Sequence, residues 1–324
     1  MRDSAAGVLL GLACGDALGR PVEFQQTASI QRRHGRVTEM LANGTHGQPA
    51  GTITDDTEMA LCIAQNLVES GSFDPDDVAE RFVEWYQSGP FDIGILTSTI
   101  LSRLRNGDAW DEAGIDEWKH LPEGSNAGNG SVMRCAPYGI AFAGEPDGLV
   151  TASRVSSAIT HADPRCQWGC VILNATLAGL LAGEKQPLAS ALELAAEAPA
   201  ELRTACEVVQ AIEGGSGADL ELANSGYVVT TLQAGLYHGL TAESAEDAIV
   251  EAVMLGGDTD TIAAVAGAIA GARFGASKLP DRWLQAIDET AEIRELGQQL
   301  DTMKISLPES IVEKLSSGQF DLQA

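Results

Sequence analysis

Apolar and polar positions along this chain recur with helical spacing almost everywhere. Residues 4–18 are apolar or small nearly all round, the pattern of a helix buried on every side. Residues 57–69 set Met59, Cys62, Ile63 and Leu67 on one stripe. Pro75 suits a first helical position, and a helix over 75–87 would bury Val78, Phe82, Val83 and Tyr86. A similar pattern covers 93–105. Asp163-Pro164 reads as an N-cap with a first-turn proline, which predicts a helix over 164–182. Further helices are expected over 188–212, ending at Gly214-Gly215, and over 227–239 and 244–255. Residues 261–273 are again small or apolar throughout, a second fully buried helix.

No regular run of alternating strand positions appears, and no internal repeat, low-complexity linker or Pro-rich boundary interrupts the chain. Residues 1–324 are therefore expected to form a single all-α domain. Gly-rich breaks fall at 43–52, 124–131, 214–217 and 256–257, and such loops on a rigid scaffold are where sites sit.

Composition sharpens this picture. Hydrophobic residues make up 44% but aromatics only 5%, so the core must be built from Ala, Leu, Val and Ile, with Gly where helices approach closely. That favours packed helices over a β-sandwich. The six cysteines form no Cys-x-x-Cys pair. Cys166 and Cys170 share a helix face, and buried free thiols are expected rather than a zinc site or disulfide framework. Met1 to Leu12 carries too few basic residues and too short an apolar run for a signal peptide, and no uninterrupted apolar stretch reaches a membrane span of about 18 to 20 residues. A cytoplasmic location is the expectation.

Formal net charge is -26, from 46 acidic and 20 basic side chains. Such a chain repels nucleic-acid backbones and anionic membranes. A phosphate-bearing substrate would need metal ions or backbone N–H groups to offset that field. Most of these carboxylates are read as solvated surface.

Two acidic segments stand apart. In GTITDDTEMAL (51–61), two Asp flanked by Thr precede an amphipathic helix. A helix cap would explain one of them, but four consecutive oxygen-bearing side chains, Thr54 to Thr57, exceed that need. In GGDTDTIAAVAGAIAG (256–271), Asp and Thr crowd the start of a helix that is itself buried, where carboxylates would repel unless a cation neutralised them. Neither segment contains His or Cys. An all-oxygen set selects Mg²⁺, Mn²⁺ or Ca²⁺ over Zn²⁺, and four carboxylates with two Thr suit a pair of ions ~3.5 to 4 Å apart.

Weaker signals surround them. Glu23 lies between Val22 and Phe24, where apolar neighbours would raise its pKa for acid–base work, or it is an ordinary turn residue. Asp92 in GPFDIG stands at a helix start behind an aromatic, where a cap role suffices. The loop NAGNGSVMR (126–134) could hold a phosphate on its N–H groups or be a simple turn. It fits neither the dinucleotide-binding nor the P-loop pattern. His161 in THADP is either a structural hydrogen-bonder or a site residue.

Together these pieces resemble the ADP-ribosylglycohydrolase family. The matching segments are GDALGRPVEF, GTITDDTEMAL, FDIG, NAGNGSVMR, THADP and GYVVTTLQAGLYHGL followed by LGGDTDTIAAVAGAIAGARFG, reaching from about residue 5 to 275. The resemblance implies an all-α orthogonal bundle with a dinuclear magnesium or manganese site. It implies Thr54, Asp55, Asp56, Asp258, Asp260 and Thr261 as ligands, with Thr259 pointing away. It places Glu23, Asp92, Gly128, Asn129, Gly130, Ser131 and His161 in an ADP-ribose cleft, with Glu23 or Asp92 handling protons. The implied activity is metal-dependent hydrolysis that removes ADP-ribose from a protein or from a small-molecule conjugate. Nucleic acid would enter only as a modified substrate, and a membrane partner is not expected. A non-catalytic ADP-ribose binder and a two-metal phosphoesterase are the alternatives. The phosphoesterase is disfavoured because His161 is far from both acidic segments in sequence. Residues 184–226 and those from 276 onward match no motif.

Overall fold

Gly7, Gly11, Gly15 and Gly19 recur every fourth residue along the first helix, α1 (Arg2–Gly19), and form one bare face of it. The computed structural model, which describes residues 2–216, 220–317 and 322, lays that face against the helix Thr259–Phe274. A Cβ built on Gly11 would lie 2.0 Å from the Gly267 carbonyl oxygen, and one on Gly15 would lie 1.9 Å from that of Ala263. Gly7 meets Gly271 and Gly19 meets Thr259 in the same way, so the two helices run antiparallel with backbone against backbone. Each helical Gly costs about 0.5–1 kcal/mol relative to Ala. Here the close approach requires it, because any side chain would collide with main chain.

The chain is all-α. In order, α1 is followed by α2 (Thr27–His34), α3 (Asp55–Ser70), α4 (Pro75–Gln87), α5 (Ile95–Arg105), α6 (Trp110–His120), α7 (Ala136–Ala141), α8 (Pro146–Ala158) and α9 (Pro164–Leu181). Then come α10 (Pro187–Leu194), α11 (Ala200–Glu213), α12 (Val228–Thr241), α13 (Ala245–Met254), α14 (Thr259–Phe274), α15 (Asp281–Leu284), α16 (Thr290–Leu300) and α17 (Glu309–Ser317). Among the described residues β-pairing is limited to isolated bridges, such as Gln26 with Gly256 and Gly128 with Tyr227. The antiparallel pair α1–α14 is the axis of the bundle. Helices α12, α13 and α16 pack around it, and Gly235 and Gly239 of α12 accommodate Val265 and Ile269.

Most of the expected helices are present, and the differences have local causes. The segment 188–212 forms two helices, because Pro199 lacks the N–H that a continuous helix needs and its ring clashes with the preceding turn. On α4, Val78 and Phe82 are fully buried but Val83 and Tyr86 only partly so. Asp163 caps α9 by accepting the Arg165 N–H at 2.8 Å. Arg2–Val22 does have the length and hydropathy of a membrane span, which its glycine breaks obscure; from Ala5 to Val22 it is buried inside the protein. All six cysteines are free, with Cys62 partly exposed and the others buried. Of the glycine-rich breaks, 214–217 ends at Gly217, which lies outside the described residues.

One side chain organises the loop before α3. Arg20 is fully buried just after α1 and donates to four carbonyls: Thr52 at 3.1 Å, Asn43 at 3.2 Å, Leu41 at 3.4 Å and Pro49 at 2.8 Å. Buried backbone carbonyls without regular secondary structure need such donors. The 41–52 loop is thereby fastened to the end of the central axis.

Candidate active site and metal centre

Antiparallel packing brings the last turn of α1 to the first turn of α14, and α3 begins beside both. The start of α3 is capped from outside. Asp16, the one carboxylate in the buried stretch of α1, accepts the N–H groups of Thr54 (3.0 Å) and Thr57 (3.2 Å) and the Thr54 hydroxyl (2.9 Å). It accepts the Thr57 hydroxyl as well. These bonds favour the charged form, but burial prevails and pushes the Asp16 carboxyl up to about 6. Sequence reasoning passed over Asp16. The signal available was a single acid inside an otherwise apolar, small-residue run.

The two acidic segments meet at the floor of one cleft of about 340 Å³. Asp55, Asp258, Asp260 and Thr261 line it together with Glu23 and Asp92. Carboxylate oxygens of Glu23, Asp258 and Asp260 lie within 4.8 Å of one another. Thr54 and Asp56 lie beneath the floor. Asp56 Oδ2 accepts from the hydroxyls of Thr54 and Thr261, each at 3.4 Å, which links the two segments directly. Asp56 Oδ1 is buried with no hydrogen-bond partner. Thr259 turns the other way and donates to the Gly19 carbonyl at 2.8 Å.

Burial, the largest cause, and the neighbouring carboxylates raise Asp55, Asp56 and Asp260 well above the usual carboxylate range. Glu23 is pushed up to about 9, first by burial and then by Asp92, Asp258 and Asp55. A buried group of acids in this state is short of positive charge. The donor set is oxygen only, and one buried carboxylate oxygen is orphaned. Both features fit hard divalent cations.

Glu23 and Asp92 share a partner that sequence reasoning missed. His46 Nε2 lies 2.6 Å from Glu23 Oε2 and 3.3 Å from Asp92 Oδ2, with the Phe91 ring tilted against it at 5.6 Å. Its loop, 43–52, stood out only for glycine, and one histidine between two glycines carries little pattern. Burial raises Asp92, and the nearby His46 works in the opposite direction. The segment bearing Glu23 is strapped to the start of α14. Phe24, held at φ 61, donates its N–H to the Gly257 carbonyl at 2.7 Å, and Gly257 returns an N–H to Gln25 at 2.9 Å. A bulky residue at positive φ is strained, and this ladder holds it in place.

The far wall is the 128–131 loop with His161. A Cβ on Gly130 would lie 2.8 Å from His161 Cε1, so the ring approaches the glycine backbone too closely for a side chain there. The Asn129 N–H is committed to the Gly226 carbonyl at 3.1 Å, and the Asn129 amide donates to Asp258 Oδ2 at 2.7 Å. Asn129 thus orients an acid of the floor. Among the described residues the Gly128 and Gly130 N–H groups meet no protein acceptor. Ser131 sits apart from its neighbours: its hydroxyl is buried under the wall, 2.9 Å from Ser157 Oγ and accepting from Cys170 Sγ at 3.6 Å, and does not line the cleft. His161 lines the cleft beside the acids despite its distance in sequence, so that distance carries no weight against a histidine-assisted site.

A cleft with a carboxylate floor, two acids sharing a histidine at one side and free N–H groups at the other can hold a cation-assisted, phosphate-bearing substrate for hydrolysis. A profile of the family described as ADP-ribosylglycohydrolase matches residues 1–308. The ADP-ribosylarginine hydrolase Tri1 of Pseudomonas putida is 35% identical over 305 residues, spanning 92% of this chain and 78% of that protein. The ADP-ribosyl-[dinitrogen reductase] glycohydrolase of Rhodospirillum rubrum is 31% identical, spanning 94% and 96%. A solved structure titled "ADP-ribosylglycohydrolase-related protein complex" superposes with a TM-score of 0.78 at 33% identity, covering 94% of this chain and 98% of that one. With fold, profile and relatives in agreement along nearly its whole length, the chain belongs to the ADP-ribosylglycohydrolase family of glycosidic hydrolases.

Proposed function

We propose that this protein hydrolyses the N-glycosidic bond joining ADP-ribose to arginine side chains of modified proteins, with two divalent cations, Mg²⁺ or Mn²⁺, at the cleft floor. The observation that carries the reading is the meeting of Asp55 with Asp258 and Asp260 in one cleft, above a buried Asp56 oxygen left unpartnered. The arginine acceptor is taken from the Pseudomonas relative, whose name gives that substrate.

In this reading Thr54, Asp55, Asp56, Asp258, Asp260 and Thr261 hold the cations. When bound, the cations supply positive charge that steadies ribose oxygens beside the scissile bond and makes water a better nucleophile. The free N–H groups of Gly128 and Gly130 receive the diphosphate, which lets so acidic a chain accept an anionic substrate. Glu23 and Asp92, joined through His46, move the proton that the leaving group needs. General acid–base help of this kind is worth roughly 10²- to 10⁴-fold. The carboxylates around the anomeric carbon also stabilise positive charge as the bond breaks.

The test is a panel of ADP-ribosylated acceptors (arginine, serine, O-acetyl and nucleobase) with Mg²⁺, Mn²⁺ or EDTA. Release of free ADP-ribose from the arginine conjugate, lost in EDTA, is expected. Release from serine alone would move the acceptor. Binding without release from any conjugate would make the protein a binder, and phosphate release would make it a phosphoesterase.

A further inference from the structure

Behind the His161 wall lies a buried cation that the chemistry above does not use. Arg134 is fully buried and, among the described residues, makes no ion pair. Its guanidinium stands 4.4 Å from the Phe82 ring centroid, Nη1 rests on Met59 Sδ at 3.6 Å, and Nη2 donates to Thr160 Oγ1 at 2.7 Å. Thr160 Oγ1 in turn lies 2.8 Å from His161 Nδ1. Arg134, Thr160 and His161 thus form one unbranched chain that ends at the cleft.

We propose that Arg134 and Thr160 are positioning residues that hold His161 in the form carrying its proton on Nε2, making it a fixed hydrogen-bond donor to the ligand. The argument runs on hydrogen inventory. Arginine only donates, so Thr160 Oγ1 accepts from it. The hydroxyl has one hydrogen, and the atom within reach to take it is His161 Nδ1. Nδ1 is then an acceptor and bears no proton, and in a neutral imidazole the proton must be on Nε2.

The reverse arrangement, Nδ1–H donating to Thr160, sets two donors on one oxygen and strands the hydroxyl hydrogen in a buried site. Buried polar hydrogens are seldom left so. A ring flip is no escape, since it would present carbon to Thr160. The neighbouring backbone is pinned as well: the His161 N–H donates to the Ser157 carbonyl at 2.7 Å, and Ser157 Oγ donates to the His161 carbonyl at 2.9 Å. Burial, with Arg134 nearby as the lesser cause, pulls the imidazole down to about 3, which keeps it neutral.

Nε2 faces the Gly128–Gly130 backbone, where the free N–H groups also lie. His161 therefore adds a third neutral donor to that wall. It suits an acceptor oxygen of a phosphate or ribose and cannot serve as a base. Only the identity of that oxygen rests on the function proposed above.

Histidine-labelled protein, read by long-range ¹⁵N–¹H correlation, tests the relay directly. His161 is assigned by the signal that His161→Gln removes. The ring should show a protonated Nε2 and a bare Nδ1, unchanged from about pH 5.5 to about pH 8.5. A protonated Nδ1, a mixture, or titration within that range would overturn the proposal. Thr160→Val removes the hydroxyl at equal volume. It should mix the two ring forms and weaken ADP-ribose binding about tenfold, one hydrogen bond's worth, and Thr160→Ser should restore both. A folded Thr160→Val protein with unchanged ring signature and affinity would refute it. If the wild-type protein failed to bind ADP-ribose, the reading of the cleft would fall, and the ring signature would still decide the relay.

Discussion

Asp16 and Thr54 are joined through both backbone and side chain: the carboxylate accepts the Thr54 N–H at 3.0 Å and its hydroxyl at 2.9 Å, entirely within the core. The central helix thereby fixes the start of the helix that bears two of the floor acids. Asp16→Ala should cost roughly 2 to 4 kcal/mol, since it removes a cap and leaves buried donors unmet. Urea denaturation checks the stability, and Mn²⁺ titration should show weaker binding in the same variant. Full stability and full metal affinity would mean that α3 caps itself.

Asp56→Asn and Asp260→Asn are expected to abolish metal-dependent turnover. Each should also erase the rise in melting temperature that Mg²⁺ or Mn²⁺ gives the parent protein, a rise worth about 2.7 kcal/mol at a hundredfold excess over Kd. In EDTA the same variants should be no less stable than the parent, because each removes an acid that burial disfavours. Wild-type rates in either variant would sink the ligand assignment.

Acidity ties stability to pH in a definite direction. Burial pushes Glu23 up to about 9 and Asp16 up to about 6 in the folded protein, so between each group's ordinary value and its raised one the folded state holds more protons than the unfolded one. Where the native state binds the extra protons, stability falls as pH rises. In EDTA the melting temperature should be highest near pH 5 and decline toward pH 9. Saturating Mn²⁺ should flatten that decline. A melting temperature that rises with pH in EDTA would contradict the burial of these acids.

The bare face of the central axis makes a sharp contrast between two glycines. Gly267→Ala puts a methyl 2.0 Å from the Gly11 carbonyl oxygen and should destabilise the fold by roughly 3 kcal/mol or more. Gly144→Ala meets nothing within 4 Å and should change stability by about 1 kcal/mol or less. Thermal melts of the two variants side by side provide the measurement.

Much of this was legible in the sequence, for physical reasons. Helices buried on all sides, α1 and α14, show as uniform runs of small apolar residues, and acids at their mouths stand out against that background. Thr54-Asp55-Asp56 and Asp258-Thr259-Asp260-Thr261 could be paired because each crowds oxygen-bearing side chains at a helix start, with neither His nor Cys among them. Helices α2 and α15 bury a single residue each, and α7, though mostly buried, is shorter than two turns, so none left a readable period. The break at Pro199 was hidden by strong Ala and Glu propensity on both sides. His46 and Asp16 act through contacts with residues 23 and 38 positions away or more, which no local pattern encodes. Ser131 shared its loop with Gly128 and Gly130, yet a single turn sends its hydroxyl to the opposite side.

The Arg20 fastening bears on how the near side of the cleft can open. Four carbonyls spread over 41–52 converge on one planar cation, and His46 rides on the same loop. Contacts spread over many side chains could loosen one at a time. Contacts gathered on one guanidinium are lost together when that group leaves, so these four anchors should open as a unit. His46, which Glu23 and Asp92 share, rides on that loop, and amide hydrogens across it should exchange as one cooperative unit.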